Sequence, residues 1–226
     1  MGGEAERLIL NFHGIGEPRP EIPADERPYW CPAALFPELL DAALAAAREG
    51  GCALEITFDD GNLSDLEAAV PALAARALGA TFFVCAGRIG EPHYLGAEDL
   101  RAMAGAGMEI GSHGWGHIDL RRADDATLAR ETTEARARIA DALGAPVERF
   151  AIPFGSYDRR VLRSLQGFRA VYSSDNRRAR AGSWLSPRCS YERGWSAETI
   201  RQKATERYSL KRRLRQMAGA LVKRLR

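Results

Sequence analysis

The sequence is short of the residues that would announce a simple answer. Its four cysteines, Cys31, Cys52, Cys85 and Cys189, are scattered with no CxxC pair, which excludes a disulfide framework; Cys52 and Cys85 sit in apolar runs and read as small core residues. Histidine occurs four times, at His13, His93, His113 and His117, and never after position 117. No stretch approaches the roughly 18 uninterrupted apolar residues of a membrane span. The first residues, Met1 to Arg7, lack the basic start and apolar run of a secretory signal, so a cytoplasmic location is expected. There is no internal repeat and no low-complexity linker. A net charge of +2 says little about partners and is no nucleic-acid signature for the chain as a whole. The charge is nevertheless uneven. Residues 201–226 hold ten Lys/Arg and one acidic residue, Glu206, which leaves the body mildly acidic.

What is present suits one α/β domain. Hydrophobic residues make up 46% of 226 positions, enough for a core of ordinary size but not for two. Short apolar runs alternate with helical periodicity. Strands are expected at Arg7–Phe12, Leu54–Phe58, Ala80–Cys85, Met108–Gly111, Phe150–Ile152, Phe168–Ser173 and Trp184–Cys189. Helices are expected at Leu35–Arg48, Ser64–Leu78, Ala97–Ala106, Asp124–Leu143 and Asp158–Gln166, with another starting at Ser196. Ser64 and Glu67 form a capping-box pattern, and Pro71 should kink the helix behind it. Residues 15–32, with five prolines, read as an irregular loop. Strand–helix alternation repeated about seven times argues for parallel strands with crossover helices. His13, Asp59, Asp60, His113 and Asp175 each follow a predicted strand. A parallel barrel gathers its strand C-termini into one mouth, where barrel enzymes do their chemistry.

Three segments carry candidate chemistry: Thr57-Phe58-Asp59-Asp60-Gly61, Ser112-His113-Gly114-Trp115-Gly116-His117 and Ala151-Ile152-Pro153-Phe154-Gly155-Ser156-Tyr157. In a helical turn His113 and His117, four apart, would face the same way, and neutral imidazoles at that spacing can share a divalent metal. One carboxylate would complete a three-ligand set with an open position for water. Asp59 and Asp60 supply the candidate. Neighbouring residues do not easily point the same way, so one binds the metal and the other faces water or substrate, within reach to act as a general base. A bound metal brings the pKa of its water from about 16 toward 7.

These segments, with Ala80-Thr81-Phe82-Phe83-Val84 and Gly107-Met108-Glu109-Ile110-Gly111, resemble the polysaccharide deacetylase family, which includes chitin, chitooligosaccharide and peptidoglycan deacetylases. The resemblance runs over about residues 7–190, and Leu10-Asn11-Phe12-His13-Gly14-Ile15-Gly16 is similar to the first strand of one branch. It implies a distorted (β/α) barrel of seven or eight parallel strands, of the NodB-homology type, in one domain over residues 1–200. It implies a divalent metal, zinc foremost, with Co2+, Ni2+ and Mn2+ as alternatives, held by Asp60, His113 and His117. Asp59 becomes the general base, the backbone N–H of Phe154 an oxyanion donor, and Asp175 a loose match to the aspartate that supports the catalytic groups.

Two departures stand out. The family's third motif usually begins with an arginine that orients the catalytic aspartate; here that position is Ala151, with Arg149 and Arg188 as candidate substitutes. The family's late histidine, a general acid, is missing. In a closed barrel the first strand neighbours the last, so His13 is the replacement candidate. Trp30, Trp115, Tyr157 and Trp184 are candidates to line a sugar site, though an aromatic in such a chain is more often a packing residue, and His93 reads as a surface or rim residue. Residues 201–226, with Leu210, Leu214, Met217, Leu221 and Leu225 in helical spacing, read as a basic amphipathic helix. That helix either closes the barrel or contacts a membrane surface beside a lipid-linked glycan. The expected function is removal of N-acetyl groups from an N-acetylated sugar or glycan. Its rivals are hydrolysis of another non-peptide C–N bond on the same metal frame and non-catalytic glycan binding.

Overall fold

The computed structural model describes residues 6–205; the stripe from Leu210 to Leu225 lies outside the described residues. The strands are β1 (Glu6–Phe12), β2 (Ala53–Asp60), β3 (Thr81–Val84), β4 (Glu109–Ser112), β5 (Arg149–Ala151), β6 (Ala170–Ser173), β7 (Ala179–Arg180), β8 (Leu185–Pro187) and β9 (Cys189–Ser190). They form one sheet in the order β7-β1-β2-β3-β4-β5-β6-β8, with β9 on β1, and every pairing is parallel except that of β7 with β1. β8 lies beside β6 and β9 beside β1, with Arg188 alone between them. The last stretch of chain therefore changes neighbours at Arg188 and draws the sheet into a nearly closed (β/α) barrel.

The period of two along each strand separates two environments. Leu8, Leu10, Phe12, Ile56, Phe58, Phe82, Phe150 and Val171 join the main hydrophobic cluster under the helices. The alternate residues fill the barrel in layers. At the bottom the Arg7 guanidinium donates to Glu55 at 2.7 Å and to Ser186 at 2.6 Å. There Arg149 donates to the Tyr172 hydroxyl at 2.7 Å, and that hydroxyl donates to Glu55 at 2.6 Å. Above this polar plug lies a small apolar layer of Ile9, Phe83, Ala151, Tyr172 and Ala179. At the top come Asn11, Thr57, Asp59 and Arg188.

The helices end as their sequences dictate. α1 (Leu35–Gly50) stops at Gly51, whose φ of 61° is the left-handed conformation a glycine adopts cheaply. The helix expected at 124–143 opens at Asp124, whose carboxylate accepts the Thr127 N–H at 2.7 Å. It then runs as α4 (Asp125–Ala129), a π-helical turn at Arg130–Glu134, and α5 (Ala135–Leu143). A second π-helical turn, Asp65–Ala69, precedes α2 (Val70–Ala74), because Pro71 has no N–H to continue the α pattern. The capping box expected at Ser64 is not formed. The Ser64 hydroxyl accepts instead from the Ile15 N–H at 3.1 Å, tying down the start of the 15–32 loop. That loop is also pinned where the Gly16 N–H meets the Cys31 carbonyl at 2.8 Å. The remaining helices are α3 (Ala97–Gly105), α6 (Arg159–Ser164) and α7 (Ala197–Thr205), and α7 packs on α1. Among the described residues no helix is long and apolar enough to cross a membrane.

Candidate active site

Asp59 sits at the top of the barrel, 2% exposed, with both carboxylate oxygens engaged. The Arg188 guanidinium reaches Oδ1 at 2.8 Å and Oδ2 at 2.7 Å, a two-pronged clamp. The Asn11 side-chain amide donates to Oδ2 at 3.0 Å, while its own oxygen accepts from Arg188 and from Thr57, both at 2.8 Å. The guanidinium is fully buried and lies against the Phe83 and Tyr172 rings, 5.3 and 5.9 Å from their centroids. Those rings pack with Ala151. The small side chain at 151 thus stands where the resemblance led one to expect an arginine, and Arg188, between β8 and β9, occupies the interior instead. Burial alone would push the Asp59 carboxyl up. Arg188, through its charge and its hydrogen bonds, outweighs it and holds the group well below the usual carboxylate range.

Asp60, His113 and His117 face Asp59. One ligand atom from each lies within 4.8 Å of the others. Two neighbouring aspartates serve one site because Asp60 has a φ of 81°, which turns the chain at the end of β2. The His113 ring is fixed by a 2.9 Å contact between Nδ1 and the Ala151 carbonyl, so Nδ1 carries the proton and Nε2 points at the site, 3.8 Å from Asp59 Oδ2. Burial pushes His113 down to about 4, against the pull of Asp59, so the ring is neutral and able to ligate at neutral pH. His117 Nε2 lies 3.6 Å from Asp60 Oδ1, which also accepts from Arg88 at 3.1 Å. Two imidazoles and a carboxylate at this separation fit a first-row divalent ion.

Phe154, with a φ of 57°, turns its chain at Pro153-Phe154-Gly155, and its ring lies 4.5 Å from that of His117. It is 60% exposed, unusual for so large an apolar residue. A cleft of about 320 Å³ spans these groups and is walled by Trp30, Tyr94, Arg88, Asn62 and Glu192. His13 lines it too. Its Nδ1 is buried without a hydrogen-bond partner, and its ring lies 5.2 Å from that of Tyr29. Asp175 stands between two cleft-lining residues, Ser174 and Asn176, and accepts the Tyr157 and Ser173 hydroxyls at 2.8 Å each. His93 is exposed on a neighbouring rim.

Of the four aromatic candidates for a sugar site, Trp30 lines the cleft. Tyr157 is buried behind it. Trp115 packs between Gly87 and the Arg130 guanidinium, and the Trp184 indole donates to the Phe168 carbonyl elsewhere. Sequence reasoning missed Asn11, Arg88 and Glu131. Asn11 and Arg88 follow the period-two and strand-end rules and were findable. It also missed Asp65, fully buried beside the two aspartates, whose carboxyl burial and like charge push well up.

The profile of the family described as polysaccharide deacetylase matches residues 47–171, a span that holds Asp59, Asp60, His113, His117 and Phe154 but not Arg188. YxkH of Bacillus subtilis (strain 168), provisionally named a polysaccharide deacetylase, is 28% identical over 111 residues. The match takes in 49% of this chain and 40% of that protein, so this chain spans well under half of its relative's length. Two solved structures share the fold. The Streptococcus pyogenes deacetylase PplD, solved in complex with acetate, superposes with a TM-score of 0.77 at 20% identity, over 89% of this chain and 99% of its own. IcaB from Ammonifex degensii gives 0.70 at 22%, over 90% and 98%.

Proposed function

This chain belongs to the polysaccharide deacetylase family, and from that premise we propose that it hydrolyses the acetamide of an N-acetylated sugar or glycan, releasing acetate and leaving a free amine. The observation that carries the reading is the clamped Asp59 carboxylate facing the Asp60, His113 and His117 cluster across one cleft. A divalent ion on that cluster, zinc by preference for two imidazoles and one carboxylate, would acidify a water and polarise the acetamide carbonyl. Asp59, kept ionised and aimed by Arg188 and Asn11, would take the proton from the attacking water. The Phe154 N–H, in the turn beside His117, donates to the developing oxyanion, a contact worth roughly 3–4 kcal/mol. His13, which lines the same cleft, protonates the departing amine, while Asp175 steadies the Ser174–Asn176 wall. Zinc-loaded protein is expected to release acetate from at least one member of a panel of N-acetylated sugars and oligosaccharides, and metal-stripped protein to release none until zinc is restored. Acetate release that survives complete stripping would sink the metal-dependent reading.

The role of His13 has its own test. An amine leaves only once protonated, whereas the p-nitrophenolate of p-nitrophenyl acetate needs no proton. His13→Ala should therefore lower acetate release from the sugar roughly 10²–10⁴-fold and leave ester cleavage nearly unchanged. Equal losses on both substrates would make His13 a structural residue.

A further inference from the structure

The turn between His113 and His117 is held from two sides. On one side the His113 N–H meets the Val84 carbonyl at 2.8 Å, and the Gly114 and Trp115 carbonyls accept from Ala86 at 2.9 Å and Gly87 at 3.0 Å. On the other side stands Glu131. One of its oxygens, Oε2, accepts the Trp115 N–H at 2.7 Å, and both oxygens accept the Gly116 N–H at 3.1 Å. Glu131 is 3% exposed, so these bonds form away from water. The turn closes on the carboxylate so tightly that a Cβ at Gly114 would lie 2.5 Å from Oε2, and Gly114 itself has a φ of 82°. Successive backbone N–H groups converging on one anion make a nest. On the helix side, Glu131 lies in the π-helical turn Arg130–Glu134, a local widening of the kind found at functional sites. Arg130, one residue before, covers the Trp115 indole at 4.6 Å.

We infer that Glu131 is a positioning residue for the metal-holding turn, acting on His117 through the Trp115 and Gly116 N–H groups; this rests on the metal reading above. His113 is steadied independently by β4 and the Ala151 carbonyl. His117 sits at the far end of the turn with a φ of 54°, a conformation an imidazole-bearing residue keeps only when its surroundings impose it. Without the carboxylate, the nest loses its anion and His117 is free to leave the position 3.6 Å from Asp60.

The test measures zinc affinity of the metal-stripped full chain by competition with a chelating dye, beside thermal unfolding without metal. Three variants are compared: Glu131→Ala, Glu131→Asp, which withdraws the carboxylate by one methylene, and Ile139→Val, a core change in α5. Glu131→Ala should lose zinc affinity roughly 10–100-fold, and Glu131→Asp an intermediate amount, while Ile139→Val lowers the unfolding temperature with zinc affinity intact. Should Glu131→Ala not fold, Glu131→Asp decides. Wild-type affinity in every Glu131 variant that folds, or an equal loss in Ile139→Val, overturns the inference and leaves the metal site standing. A wild type that binds no zinc overturns both.

Discussion

Arg188→Ala is expected to cost about 3–5 kcal/mol of stability and to abolish measurable acetate release. The magnitude follows from what remains behind. Asp59 is 2% exposed and takes most of its charge compensation from this one guanidinium. Removing it strands a desolvated carboxylate whose pKa burial would then raise. The loss should depend on pH in a definite direction. In the wild type the folded-state pKa of Asp59 is depressed, so the pair's contribution is fully present above the unfolded value of about 4 and fades as pH falls below it. The gap between wild type and variant, measured by denaturant titration, should be widest at neutral pH and narrow in acid. The double variant Ala151→Arg/Arg188→Ala offers a guanidinium from the position the family's third motif uses, into the same ring-lined space, and is expected to regain part of both stability and activity. A single variant within about 1 kcal/mol of wild type, the size of an exposed ion pair, would mean that the clamp is not what holds Asp59.

The route to this arginine shows how far the sequence could be read. Local periodicity located α1, α5 and the central strands, because burial on one face writes itself into spacings of two and 3.6. The motif residues could be paired by resemblance. Arg149 and Arg188, by contrast, were equal candidates for replacing the missing motif arginine. Their fates depend on register between strands far apart in the chain: Arg149 sinks into the bottom plug with Tyr172 and Glu55, 23 and 94 residues away, while Arg188 meets Asp59 across 129 residues. Glu131 was hidden for a different reason. In an amphipathic helix a glutamate reads as solvated, and nothing local announces the π-helical turn that carries it inward. Trp184 and Tyr157 pack, the commoner of the two fates the sequence left open, since an aromatic residue looks alike in sequence whether it stacks on a sugar or fills a core.

The division of labour between the two adjacent aspartates yields the sharpest contrast. Asp59→Asn is expected to lower acetate release roughly 10²–10⁴-fold while zinc affinity stays near wild type, because Asp59 lies outside the Asp60, His113 and His117 cluster. Asp60→Asn should instead lose zinc and activity together. The Asp59 substitution nearly preserves shape, yet its amide nitrogen faces the Arg188 guanidinium whichever way it turns, and that fully buried cation loses its counter-ion. A loss of stability of the same order as that of Arg188→Ala, about 3–5 kcal/mol, should accompany it. That loss separates the two roles of the carboxylate. If Asp59 only anchored Arg188, activity would fall in proportion to the fraction unfolded and return on cooling. If it carries the proton, activity stays low in fully folded, zinc-loaded protein. Acetate release within tenfold of wild type from folded Asp59→Asn would remove the general-base role and leave Asp59 as the counter-ion that keeps Arg188 buried.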